Sequence, residues 1–107
     1  MKTVLRAIAD PTRREILDTL LAKEEESVTD LTKDFDMSLA AASQHLKVLR
    51  EAGLIEGRRE GRQIFYRLNP APLYGVARWI HPYERFWKTK LAALDAHLRR
   101  RHGKHRP

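Results

Sequence analysis

The chain contains no cysteine. Disulfides, thiolate metal sites and cysteine nucleophiles are therefore excluded, and the composition suits a reducing compartment such as the cytoplasm. No apolar run approaches the roughly 18 residues of a transmembrane helix, so no membrane association is expected. The opening stretch MKTVLRAIADPTRR lacks the apolar segment of a secretory signal, and none is expected. Carboxylates are scarce in the second half. Residues 54–107 carry 4 Asp/Glu against 13 Lys/Arg, whereas residues 1–53 carry 10 against 8. The net charge of +7 thus comes from a mildly acidic half joined to a strongly basic one, which points to a polyanionic partner. A solvated surface with a basic tail would give the same count. A length of 107 residues fits one domain with a single core.

Punctuation divides the chain well. Residues 3–9 suit a short helix. Asp10-Pro11 opens the next, with Asp as N-cap and Pro at the first helical position, where its missing N–H costs nothing. Ile16, Leu17, Leu20 and Leu21 supply its apolar stripe, and Glu24-Glu25-Glu26 should end it in solvent. Ser27 with Asp30 resembles a capping box, starting a short helix to about Phe35. Ser38 caps a helix running to Ala52, and Gly53 suits the left-handed position that ends it. The apolar period then changes from 3.6 to 2. LIEGRR and RQIFYRL read as two strands, with Glu60-Gly61 as the tight turn between them. Asn69-Pro70 should start a further helix, and Pro82 should break it and open a last one to about Arg100. The expected fold is mainly α, with a two-stranded hairpin. Residues 1–69 would form the core, 70–101 the C-terminal helices, and 102–107 a basic tail.

The helix over 39–52 carries the most specific signal. On a helical wheel Leu39, Ala42, Leu46 and Leu49 fall within an arc of about 80°, the expected buried stripe. Gln44 lies nearly opposite, and Val48 also falls on the outer side. The exposed face begins with Ala40 and Ala41, which permit close approach, and continues with Ser43, Gln44, His45 and Lys47. Gln pairs bidentately with adenine, Ser reaches base edges or phosphate, and Ser38 begins a helix N-terminus that favours phosphate. A short helix, a tight turn and this helix together read as a helix-turn-helix. Arg58, Arg59 and Arg62 on the hairpin suit phosphate or minor-groove contacts.

The stretches AIADPTRREIL and VTDLTKDFDMSLAAASQHLKVLREAGLIEGRREGRQIFYRLNP resemble the ArsR-type winged helix-turn-helix family of bacterial transcriptional repressors, over roughly residues 3–70. SQHLKVLREAGLI followed by GRQIFYRL is specific for that family, and DPTRREIL supports it. The resemblance implies a homodimeric repressor of an inverted-repeat operator. The helix holding Ser43, Gln44 and His45 would enter the major groove, and the hairpin would be the wing. It also implies where relatives hold metals. Ser27 and Thr29 of SVTDL stand in place of paired cysteines, so soft metals are not expected. Asp95-Ala96-His97 matches half of the other family site, leaving His102 and His105 as loose additional candidates. PYERFWKTKLAALDAHL resembles members without metal ligands, so no metal or cofactor is expected.

The remaining apolar residues suggest a partner copy. Tyr83, Trp87, Leu91, Leu94 and Leu98 form one stripe on the last helix, too long for a 70-residue core to cover, and Trp79 and Phe86 would join them in a dimer interface. Val4, Leu5 and Ile8 would add to a dimer interface. Two-fold symmetry would set the recognition helices about 34 Å apart. No enzyme is expected. Ser43 and His45, two apart on a helix, diverge and cannot form a nucleophile–base pair. Two alternatives stay open: a metal-sensing repressor using the C-terminal Asp and His residues, and a winged-helix module that binds protein.

Overall fold

The computed structural model describes residues 1–102 in the order α1 (Lys2–Ala9), α2 (Pro11–Ala22), β1 (Glu26–Ser27), α3 (Val28–Asp34), α4 (Leu39–Glu51), β2 (Ile55–Glu60), β3 (Gln63–Leu68) and α5 (Leu73–His102). The chain divides into two compact units, residues 1–76 and residues from 77 on.

Helix ends in the first unit are set by short-range chemistry. Asp10, Ser27 and Ser38 each accept from the N–H three residues on, at 3.1 Å, and Pro11 is the first residue of α2. Satisfying an otherwise orphaned N–H in this way is worth about 1 kcal/mol per cap. α4 ends in a Schellman motif. Gly53, at φ +74°, donates to the carbonyl of Arg50, and Leu54 donates to that of Leu49. Leu49 and Leu54, which this motif brings together, are fully buried.

The C-terminus of α1 is capped from the next helix. Arg13 donates through Nε to the Ala7 carbonyl at 2.7 Å and through Nη2 to that of Arg6 at 3.0 Å. Arg14 Nη1 takes the carbonyls of Ile8 and Ala9. A helix leaves its last four carbonyls without intrahelical partners. Here two guanidinium groups satisfy all four and place positive charge at the negative end of the helix dipole.

Ala7, Ile16, Leu20, Leu31, Leu46, Leu49, Leu54 and Ile55 close the core of this unit. The antiparallel sheet has the order β1-β3-β2. The β2–β3 hairpin expected from alternation is present, with Ile55 opposite Leu68 and Glu60 opposite Gln63. Its turn is Gly61-Arg62 rather than Glu60-Gly61, and Gly61 takes φ +63°. Tyr66 explains Gly57: a Cβ there would lie 2.7 Å from the Tyr66 ring.

Several expectations need correction. The acidic run does not end α2 in solvent. α2 stops at Ala22, and Glu26 pairs across from Tyr66 in a two-residue third strand, only 6% exposed. Lys23 compensates the buried carboxylate at 3.3 Å. Sequence alternation cannot reveal a strand of two residues. Leu39 is 64% exposed, as is Leu21 for most of its surface. As the first residue of α4, Leu39 has no preceding turn to pack beneath. Val4 faces the core of its own chain at 7% exposure, leaving Leu5 exposed and Ile8 half-buried on α1. Asn69-Pro70 does not start a helix. Asn69 instead donates to the carbonyl of Gly53 and accepts from Ala71, and α5 begins at Leu73. Pro82 lies inside α5 and does not split it. A proline removes only its own donor bond and crowds one carbonyl, and the helix continues on both sides.

Candidate nucleic-acid interface

α3, a four-residue turn and α4 form the helix-turn-helix. The turn depends on Asp36, the one non-glycine residue with positive φ among those described, at +47°. Asp tolerates this region better than most residues. Its N–H reaches the Lys33 carbonyl, and Met37 reaches that of Thr32. This second Schellman motif ends α3 and hands the chain to Ser38, the cap of α4.

α4 divides as its pattern dictates, apart from Leu39. Ala42, Leu46 and Leu49 are buried. Ser38, Ala40, Ser43, Gln44 and Lys47 are exposed, while Ala41, His45 and Val48 are half-buried. An open groove of about 490 Å³ runs between this helix and the hairpin, lined in part by Leu39, Ser43, Lys47, Arg50, Arg62 and Tyr66. Arg50 Nη1 donates to the Tyr66 hydroxyl at 3.0 Å, joining helix to hairpin beneath it. No carboxylate lines the groove. A concave surface with three cations, hydroxyl and amide groups and no anion is built for a polyanion.

Three expected contact residues are placed differently from one another. Arg62 occupies the hairpin turn, exposed, and Arg59 is exposed on β2. Neither has a carboxylate partner among the described residues. Arg58 is committed elsewhere. It donates to both oxygens of Glu25 and to Glu60 at 2.7 Å, and lies 4.9 Å from the centre of the Phe65 ring. These carboxylates hold its proton more tightly still than a free guanidinium does. Arg58 is thus paired with two carboxylates, whereas Arg59 and Arg62 are not. Arg67 and Glu56 pair on the same strands at 3.1 Å. His45 is turned toward Arg13, its Nδ1 lying 3.4 Å from Nη1. Pattern reasoning passed over Arg13, Arg14 and Arg50. A pair of arginines just past a helix end was the available signal for the first two; nothing local marks Arg50.

The C-terminal unit is described by itself. Trp79, Tyr83, Phe86, Trp87, Leu91, Leu94 and Leu98 are all exposed on α5. Tyr83 makes an edge contact with Trp79, with centroids 5.9 Å apart, and stacks on Trp87 at 6.4 Å. Asp95 is paired with Arg99 at 2.9 Å, and His97 is exposed. Among the described residues no three Asp, Glu or His side chains gather in a metal-binding arrangement. His105 and the His102 side chain lie outside the described residues. Among the described residues no helix is long and apolar enough to cross a membrane.

A model of a helix-turn-helix domain matches residues 8–58. The chain is 39% identical over 80 residues to the transcriptional repressor SdpR of Bacillus subtilis, covering 75% of this chain and 88% of that protein. It is 34% identical to the arsenical resistance operon repressor of Escherichia coli K12, covering 91% of this chain and 83% of that one. An ArsR-like transcriptional regulator from Rhodococcus sp. RHA1 superposes with a TM-score of 0.69 at 34% identity, over 89% of this chain and 86% of that one.

The chain belongs to the ArsR family. It is a DNA-binding transcriptional regulator, and its relatives are regulators rather than enzymes. α4 is thus the second helix of the helix-turn-helix in this winged-helix fold, and the β2–β3 hairpin is its wing. β1 extends the wing sheet by one short strand.

Proposed function

We propose that this ArsR regulator is a cytoplasmic, metal-independent repressor that binds an inverted-repeat operator as a homodimer. The groove between α4 and the wing carries this reading: its lining holds Lys47, Arg50 and Arg62 and no carboxylate. Ser43, Gln44 and Lys47 would meet base edges, with Ala40 and Ala41 allowing close approach. Ser38 with the α4 N-terminus, and Arg59 and Arg62, would hold phosphates. His45 would add a base or phosphate contact. The exposed aromatic and leucine stripe of α5 would pair with its copy, and Leu5 and Ile8 remain on the α1 surface for the same use. An apolar stripe of this length is costly to leave in water. The absence of cysteine supports independence from soft metals.

The test is a titration against labelled duplex from upstream of the protein's own gene, or against duplexes selected from a random pool, beside a scrambled duplex at two salt concentrations. A preference of ~10³-fold or more is expected. Added zinc should leave it unchanged. Gln44→Ala should lose ~1–3 kcal/mol of discrimination while the dimer survives. Equal affinities for selected and scrambled duplex, collapsing together with salt, would defeat the reading.

A further inference from the structure

Arg13 does more than cap α1. Its Nε and Nη2 are fixed on the carbonyls of Ala7 and Arg6, which leaves the third nitrogen, Nη1, facing Nδ1 of His45 on the recognition helix. The Arg13 backbone N–H is held by the Asp10 carboxylate at 3.1 Å. Every nitrogen of a guanidinium is a donor, and the group does not lose its proton in proteins. Across this contact the imidazole can only accept. A neutral imidazole that accepts at Nδ1 carries its proton on Nε2.

We propose that Arg13 is a positioning residue for DNA recognition, which locks His45 in the Nε2–H tautomer so that the recognition helix presents a hydrogen-bond donor there. This rests on the reading of α4 as the helix that enters the major groove. A donor at that position reads acceptors: guanine N7 and O6, adenine N7, thymine O4, or a phosphate oxygen. It rejects the amino groups of adenine and cytosine. With Nδ1 protonated instead, the same ring would offer an acceptor and prefer the opposite edges. The Asp-Pro-Thr-Arg stretch that starts α2 thereby sets the chemical polarity of a residue 32 positions away.

Two measurements test it. Long-range proton–nitrogen NMR of the uniformly labelled full chain, without DNA, reads the His45 tautomer directly. The expected spectrum shows a protonated Nε2 and an unprotonated Nδ1, and Arg13→Met should move it toward a mixture of tautomers. A protonated Nδ1 in the neutral wild-type ring overturns the proposal while leaving DNA binding by α4 untouched. It does so whether or not Arg13→Met folds. The second measurement is a double-mutant cycle on the preference for selected over scrambled duplex. His45→Gln carries its own amide donor near the Nε2 position and needs no tautomer lock. Arg13→Met should cost ~10-fold in preference in the wild-type background and less than about twofold in the His45→Gln background. Equal losses in both backgrounds would show that Arg13 acts on α1 alone, and would overturn the proposal.

Discussion

Two arginines four residues apart on the wing have opposite fates, and only their neighbours distinguish them. Arg58 is neutralised by Glu25 and Glu60, whereas Arg62 sits exposed in the turn on the groove. Each phosphate contact contributes about one unit to the dependence of log affinity on log salt. Arg62→Ala should therefore lower that slope by about 1. Arg58→Ala should leave the slope nearly unchanged and weaken the sheet instead. Fluorescence anisotropy across a salt series checks both. Two carboxylates add a pH dependence. The Arg13 backbone N–H holds the Asp10 carboxyl below its usual 3.8, and Arg58 holds that of Glu25 below its usual 4.5. Both groups bind protons more weakly folded than unfolded, so their contribution is present above about 4.5 and is lost as pH falls further. Thermal melts should show Tm falling below that pH, less steeply in Glu25→Gln. Both carboxylates are solvated, so the change should be modest.

At the scale of elements, two wing glycines are required for different reasons. Gly61 needs its positive φ and has open space around it, so Gly61→Asn should be nearly silent. Gly57 needs the space itself. Its Cβ would meet a Tyr66 ring that is buried and tethered by Arg50. Gly57→Ala should cost ~1–3 kcal/mol in urea denaturation, as overpacking does. Local signals were readable at this scale. The caps at Asp10, Ser27 and Ser38 and the stop at Gly53 follow from side-chain chemistry within three or four residues, which any reader of the chain can apply. At Pro82 and Asn69-Pro70 the structure departs from the local signal, because a proline reports only a local preference. Surrounding helix bonds outweigh it at 82, and the Asn69 side chain is spent on Gly53.

At the scale of the whole molecule, eight of the twelve exposed large hydrophobic side chains among the described residues lie on α5. If it joins two copies, Trp87→Glu should yield monomers by sedimentation while leaving the circular dichroism of the first unit's fold intact. DNA affinity should then fall steeply, because two half-sites are no longer bound as one. A dimer that persists with this substitution would place the interface elsewhere. The net charge of +7 predicts a substantial non-specific affinity at low salt in either case.

The sequence by itself determined the helix-turn-helix, the wing, the capping residues and the polar face of α4. Each of these is written in spacings of two to four residues, where backbone geometry fixes which side chains are neighbours. The family likeness followed from the same stretch. Only the tertiary structure decided which cations remain free. Arg13 is held by α1 and His45, and Arg58 by Glu25, 33 residues away, whereas Arg50 keeps its charge on the groove while bonding the neutral Tyr66 hydroxyl. A charge looks the same in sequence whether it is paired or not, and its partner is chosen by the packing of elements that are distant along the chain.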